Sequence, residues 1–199
     1  MSALTAFSAI MDRISTLIGR FVMWLVLLTT LISAFNALRR YIFSASSNAL
    51  LEIQWYLFAA VFMLGAGYVF LQNAHVRIDV LSSRLSARTR NWIDVVGIVG
   101  VVIPMCVIII GLSWPWFMRA FVSGEVSSNA GGLIRWPIYL LIPLGMALLL
   151  LQSVSELIKR VAFLRGEGPD TLAPHEKDEE RLAHEMQEEL EAHEAERRH

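Results

Sequence analysis

Four long apolar stretches dominate the first 160 residues of the chain. They cover approximately residues 18–38, 49–71, 93–118 and 134–158. Each is long enough to cross a hydrocarbon core of about 30 Å as a helix, which takes about 20 residues. None shows the alternation of a membrane-barrel strand, and a helix is the other structure that satisfies its backbone in lipid. The pattern therefore predicts an all-α integral membrane protein with a four-helix membrane domain over residues 18–160.

The segment between the second and third spans has its own pattern. On a helix, its apolar side chains share one face and its arginines flank that face. The apolar residues are Ile78, Leu81, Leu85 and Trp92, and the arginines are Arg77, Arg84 and Arg88. This pattern predicts an amphipathic helix over about residues 74–92 that lies in the cytoplasmic interface and contacts anionic membrane lipids. A short solvated basic connector is the alternative.

The distribution of charge predicts the orientation. The formal net charge is −1, but residues 1–166 hold 6 acidic and 13 basic residues, whereas the chain from Glu167 onward holds 12 acidic and 4 basic ones. The two termini and the middle loop carry more Lys and Arg near the spans than the other two loops. Because basic loops stay in the cytoplasm, residues 1–17 and the charged tail 161–199 are predicted to be cytoplasmic. The first span is longer than a signal-peptide core, which predicts a retained anchor.

The acidic residues within the predicted spans are Glu52, Asp94 and Glu156, and the last two lie at cytoplasmic ends. Glu52 opens the second span at the same periplasmic level as Arg39 and Arg40. We expect Glu52 to pair with one of these arginines and to join the first two helices, since charged groups in membranes are usually paired. A proton-carrying or cation-binding role is the alternative, but coupling-ion sites lie near the bilayer midplane rather than at its edge. At the opposite end, Glu156 is expected to pair with Arg160 four residues later.

Small residues in two spans predict close helix packing. Gly97, Gly100, Pro104 and Gly111 lie on one side of the third span. Gly65 and Ala66 have the same character in the second span. Small residues let helix backbones approach in lipid, where apolar burial does not drive association. The sequence therefore predicts a groove for another helix along the third span.

The sequence offers little chemistry of its own. Cys106 is the single cysteine, and no histidine lies within a span, which argues against a redox pair and against a haem ligated by histidines. The chain shows no arrangement of nucleophile and base, no phosphate-binding glycine loop and no metal motif. We therefore expect no catalysis, no cofactor and no nucleic-acid partner.

Several motifs resemble those of a known family. The segment from Asn48 to Val80 has a Glu that opens the second helix, a Gly-Ala pair within it, and an H-[IV]-x-[IV]-D motif just after it. These are Glu52, Gly65–Ala66 and His75-Val76-Arg77-Ile78-Asp79, and Trp136–Pro137 and Pro143–Gly145 follow in the fourth helix. In this order, over roughly residues 14–160, they resemble the DctQ-type small permease subunit of tripartite ATP-independent periplasmic (TRAP) transporters.

The resemblance implies a bacterial inner-membrane protein that works with two partners. A large DctM-type membrane subunit would carry the substrate and sodium sites, and a periplasmic DctP-type solute-binding protein would capture an organic acid. The small subunit would support the large one and help to receive the binding protein. His75 and Asp79 would orient the turn after the second span, with a proton relay as the alternative. The alternative for the whole chain is a self-associating four-helix transporter or channel for small solutes.

Overall fold

A computed structural model describes residues 2–44, 47–72, 85–170 and 172 of the chain. It contains five α-helices in this part, and a π-helical segment joins the third to the fourth. They are α1 (Ser2–Phe43), α2 (Asn48–Leu71), α3 (Ala87–Gly97), the π-helical segment (Ile98–Val102), α4 (Ile103–Ser123) and α5 (Trp136–Leu164).

The helices confirm the prediction of four spans. By length and composition, four helices can cross a membrane, and the third is the continuous run Ala87–Ser123 made of α3, the π-helical segment and α4. With a rise of about 1.5 Å per residue, even the shortest of the four, Asn48–Leu71 with 24 residues, exceeds the hydrocarbon core of about 30 Å.

The helix boundaries differ from the sequence-based ones. α1 begins at Ser2 instead of near residue 18, so most of the predicted N-terminal segment is a helical extension. The third helix begins at Ala87, where the Ser86 side chain accepts a hydrogen bond from the Thr89 N–H as an N-cap. Residues 87–92 of the predicted interfacial helix thus belong to the third span. An apolar run marks where lipid contact starts, whereas a helix can continue into water when its polar groups find partners.

Residues 74–84 of the predicted interfacial helix lie outside the described residues, and residues 85–86 are described but are not helical. His75, Arg77 and Asp79 of the H-[IV]-x-[IV]-D motif are among the residues not described, as is nearly all of the tail beyond Asp170.

α5 is the central helix of the bundle. It packs against α1, α2 and the α3–α4 helix, and α1 also packs against α2. We call the end of the bundle with residues 44, 47–48 and 124–135 the loop end. The opposite end, with residues 2–12 and 165–170, is the terminal end.

Glycines allow the closest helix contacts in this core. A Cβ atom built at Gly145 of α5 would lie 2.5 Å from the carbonyl oxygen of Met63 in α2. One built at Gly19 of α1 would lie 2.4 Å from the Tyr68 ring of α2. Both distances are far below van der Waals contact, so a larger residue at either position would require the neighbouring helix or side chain to move.

The small residues singled out in the sequence divide into two groups. Gly65 is buried and would place a Cβ 3.7 Å from Val22 in α1, and Ala66 is half-buried beside it. On the third helix, by contrast, a Cβ at Gly97, Gly100 or Gly111 would meet nothing within 4 Å. Within the described part of the chain, the predicted groove on the third helix is therefore open.

Pro104 lies where the third helix changes its winding. It occupies the first turn of α4, immediately after the π-helical segment, and is exposed. Proline has no N–H to donate to the carbonyl four residues earlier. The Ile103 N–H instead donates to the Ile98 carbonyl, five residues back. The wider turn accommodates the proline without breaking the helix.

Candidate functional site

A stripe of polar residues on α2 organises the loop end. Asn48, Glu52 and Tyr56 are four residues apart, so they share one face of the helix. All three contact the segment that joins α4 to α5. The Asn48 amide donates to the Ala130 carbonyl at 3.1 Å, and the Tyr56 hydroxyl donates to the Ile134 carbonyl at 3.1 Å.

The segment that they hold is a short hairpin, residues 125–135. Val126 and Ile134 form an isolated antiparallel bridge. The Ser127 N–H donates to the Leu133 carbonyl and the Arg135 N–H to the Glu125 carbonyl, both at 2.9 Å. We call this segment the 125–135 hairpin. Gly124 before it and Gly131 in its turn have φ values of 63° and 71°, which glycine adopts without strain.

Glu52 is the centre of this arrangement. Its side chain is 4 % exposed. Its Oε1 accepts hydrogen bonds from the Ser127 hydroxyl and, at 2.7 Å, from the Asn129 amide. Its Oε2 accepts one from the Leu133 N–H at 2.7 Å. Hydrogen bonds to a carboxylate are stronger than those between neutral groups, so Glu52 fixes the hairpin to α2.

The predicted pairing of Glu52 with Arg39 or Arg40 is wrong. Among the ion pairs of the described residues, none involves Glu52 or either arginine. Arg39 is half-buried and Arg40 is exposed at the end of α1. The carboxylate is directed at the hairpin instead, where neutral donors and a backbone N–H satisfy it.

Arg135 closes the hairpin and faces Glu125 and Tyr139. Its Nη1 lies 3.3 Å from the Glu125 carboxylate and 3.5 Å from the Tyr139 hydroxyl. The hydrogen bond with Tyr139, together with the charges of Tyr139 and Glu125, raises the pKa of Arg135 despite the desolvation that opposes it. A cavity of about 210 Å³ lies beside this group, under the hairpin and between α2 and α5.

Aromatic rings support the base of the hairpin. Trp136 meets Phe121 edge to face, with 5.6 Å between the ring centroids, and Phe121 continues to Phe117 and Trp114 along α4. Pro137 follows in the first turn of α5, where its missing N–H costs nothing. The Trp136–Pro137 motif thus marks the point where the hairpin becomes α5.

A second polar cluster joins the helices at the terminal end. The Ser15 hydroxyl donates to Gln152 at 2.7 Å, and the Gln152 amide donates to Asp12 at 2.9 Å. Lys159 pairs with both Asp12 and Glu156. The cluster ties the extension of α1 to α5.

The predicted pair of Glu156 and Arg160 is confirmed. Both side chains are 1 % exposed and form an ion pair within α5. Arg160 also pairs with Asp94 of α3 at 3.1 Å, a contact that connects the third helix to the same cluster. Buried charges need such partners because an unpaired one is strongly disfavoured.

The chain beyond α5 is attached to α3 by Asp170. Its carboxylate accepts hydrogen bonds from Arg90 at 3.1 Å, Asn91 at 2.9 Å and the Leu172 N–H at 3.0 Å. Burial raises the pKa of Asp170, but these hydrogen bonds and the charge of Arg90 outweigh it, so the pKa lies below its ordinary value.

Sequence reasoning found Glu52 but missed its partners. It also missed Asn48 and Tyr56, although their spacing of four residues from Glu52 indicates a shared face of α2. Ser127 and Asn129 carry no signal of their own, because polar residues in a loop are expected anywhere. Among the described residues, no three His, Cys, Asp or Glu side chains lie close enough together to hold a metal ion.

The fold defines a multi-pass helical membrane protein, and the ion pairs among the described residues lie at the two ends of the bundle. The model of the family described as tripartite ATP-independent periplasmic transporters, DctQ component, matches residues 29–163. The chain belongs to this family, which confirms the resemblance seen in the motifs. In comparisons with curated proteins and with solved structures, nothing matches.

Proposed function

We propose that this small TRAP transporter subunit has no transport pathway of its own and supports a large DctM-type subunit that does. The observation that carries the proposal is the absence of charged residues from the middle of all four spans. In the sequence, no Asp, Glu, Lys or Arg occurs in residues 21–38, 53–76, 95–118 or 136–155. Coupled carriers place their ion and substrate sites near the midplane, so sodium coupling and organic acid binding would belong to the large subunit.

The third helix is the proposed contact with the large subunit. It is the least buried of the four spans within the chain, and its small residues Gly97, Gly100 and Gly111 face open space. A partner helix could approach the backbone closely along this side. The π-helical segment and Pro104 lie within the same stretch.

The 125–135 hairpin is the proposed contact with the periplasmic DctP-type binding protein. Basic residues near the spans are concentrated towards the terminal end, which by the positive-inside rule would be cytoplasmic. The loop end would then face the periplasm, and the protein would lie in a bacterial inner membrane. There, Glu52 would act as a positioning residue that holds the hairpin in a fixed orientation.

Co-purification with the large subunit, followed by uptake in liposomes, tests this function. We expect the chain to be retained by a tagged large subunit, and uptake to require both subunits and the binding protein. Gly100→Leu should reduce retention by filling the open side of the third helix. Ala34→Leu, at an exposed position of α1, is the matched control and should leave retention unchanged.

The alternative is a self-associating four-helix transporter or channel. It predicts solute flux in liposomes that contain this chain alone, and a homo-oligomer whose formation Gly100→Leu would disrupt. Flux without the large subunit would overturn the proposed supporting role.

A further inference from the structure

The cavity under the 125–135 hairpin has charged side chains of both signs on its wall. Glu52 and Arg135 line it together with the aromatic residues Trp55, Tyr56 and Tyr139. Its volume of about 210 Å³ is below the 300–1,000 Å³ that is usual for sites of drug-sized ligands. The cavity is therefore suited to a small polar group that carries both charges.

The Arg135 side of the cavity suits a phosphate. A guanidinium has five N–H donors, and the contacts of Arg135 with side chains in the described residues use Nη1 alone. α5 begins at this point without a side-chain cap. The N-terminus of a helix adds positive potential, which favours an anion.

The α2 side of the cavity suits an amine. The Oε2 atom of Glu52 accepts one hydrogen bond, from the Leu133 N–H, and a carboxylate oxygen has room for a second. The rings of Trp55 and Tyr56 lie on the same wall and attract a cation through their faces. The wall carries one charged side chain of each sign, which favours a zwitterion over an anion.

An aromatic stripe leads from the cavity along the outside of α2. Trp55, Phe58 and Phe62 are spaced at i, i+3 and i+7 and so share one face. They are 62, 60 and 80 % exposed, and the rest of the described chain leaves them uncovered. A headgroup in the cavity would thus have an apolar surface beside it on which acyl chains can lie.

We propose that this cavity binds the headgroup of a phospholipid that carries both a phosphate and a primary amine, as phosphatidylethanolamine does. The phosphate contacts Arg135 and the Tyr139 hydroxyl, the amine contacts Glu52 and the ring of Trp55, and the acyl chains follow the stripe on α2. Trp and Tyr are common at the level of lipid headgroups. The bound lipid would stabilise the attachment of the hairpin to α2.

Native mass spectrometry of the full chain with phosphatidylethanolamine and phosphatidylglycerol, added separately at equal concentration, tests the proposal. We expect more of the one-lipid complex with phosphatidylethanolamine. Arg135→Gln should lower this binding about tenfold, as expected for the loss of a charged hydrogen bond. Arg119→Gln, an exposed arginine at the same end, should leave it unchanged. Equal binding of the two lipids, or an unchanged Arg135→Gln protein, would overturn the proposal.

Two further variants separate lipid binding from damage to the hairpin. Glu125→Gln removes the ion pair of Arg135 but keeps the guanidinium in the cavity, so lipid binding should persist. If it falls as far as in Arg135→Gln, the loss reflects the hairpin and the proposal fails. Should Arg135→Gln not fold, Tyr139→Phe is the milder variant, with an expected loss of about threefold.

Soluble phosphorylethanolamine should bind far more weakly than the lipid, and equal affinity would assign the cavity to a soluble zwitterion instead.

Discussion

The carboxylate of Glu52 accepts a hydrogen bond from the backbone N–H of Leu133 at 2.7 Å, across a sequence separation of 81 residues. This bond joins the second turn of α2 to the last part of the hairpin. The other two bonds to Glu52, from Ser127 and Asn129, reach the opposite side of the hairpin. One buried side chain therefore holds both arms of the hairpin, and its removal affects the whole segment.

Glu52→Gln is predicted to loosen the hairpin without unfolding the bundle. The amide keeps one acceptor oxygen, but its NH₂ group would face another donor, either the Leu133 N–H or the Asn129 amide. We expect a destabilisation of about 1–3 kcal/mol, the usual effect of leaving a buried polar group unsatisfied. Hydrogen exchange at Ser127 and Leu133 should become faster, while exchange in the middle of α5 stays slow.

Glu125→Gln serves as the control for this prediction. Glu125 is 39 % exposed and its ion pair with Arg135 is at the surface of the hairpin. Exposed pairs contribute about 0–1 kcal/mol, so exchange at Leu133 should change little. If the two variants loosen the hairpin equally, Glu52 is not its anchor.

The four spans could be predicted because an apolar run of sufficient length has one stable solution in lipid. The partner of Glu52 could not be predicted in the same way. A search for opposite charge leads to Arg39 and Arg40, which are close in sequence. It ignores backbone N–H groups, and a loop such as 125–135 offers these donors only after its turn has formed.

Glycines show the same limit of sequence reasoning. The stripe on the third helix is regular, so its periodicity is visible without a partner. Gly19 and Gly145 form no such stripe, yet they permit the closest contacts of α2 with α1 and α5. Which glycine is buried depends on how the helices are arranged, and periodicity along one helix does not contain that information.

Gly145→Ala is predicted to destabilise the isolated subunit, whereas Gly100→Ala is predicted not to. The new Cβ at position 145 would lie 2.5 Å from the Met63 carbonyl oxygen, which is backbone and cannot turn away. Overpacking of this kind costs about 1–3 kcal/mol. At position 100 nothing lies within 4 Å. The midpoint of thermal unfolding in detergent should fall for the first variant alone.

Gly19→Ala adds an internal comparison. Its Cβ would meet the Tyr68 ring, a side chain that can move more easily than backbone. We therefore expect a smaller fall in the unfolding midpoint than for Gly145→Ala. A larger fall would show that the contact of α1 with α2, rather than that of α2 with α5, limits the packing of the bundle.

Arg160→Met alone is predicted to lower the free energy of unfolding more than the double variant Arg160→Met with Glu156→Gln. Loss of one partner of a buried pair typically costs about 3–5 kcal/mol, because the other charge remains buried. Lys159 still contacts Glu156, so we expect the lower end of this range. In the double variant no charge remains at position 156, and part of the lost stability should return.

Thermal unfolding of the single and double variants measures this coupling. Arg165→Met is the control, since Arg165 is exposed just after α5 and should contribute little. Additive losses from Glu156→Gln and Arg160→Met would contradict the prediction, because they would mean that the two residues act independently.

The attachment of the chain beyond α5 is predicted to weaken only in strong acid. The hydrogen bonds from Asn91, Leu172 and Arg90 hold the pKa of Asp170 below its ordinary value of 3.8. A lowered pKa in the folded state means that the stabilisation is fully present above pH 3.8 and is lost as the pH falls through the lower folded value. The carboxyl ¹³C shift of Asp170, assigned by comparison with Asp170→Asn, should titrate with a midpoint below 3.8. Arg90→Gln should raise that midpoint, and a wild-type midpoint at or above 3.8 would show that Asp170 does not hold this segment to α3.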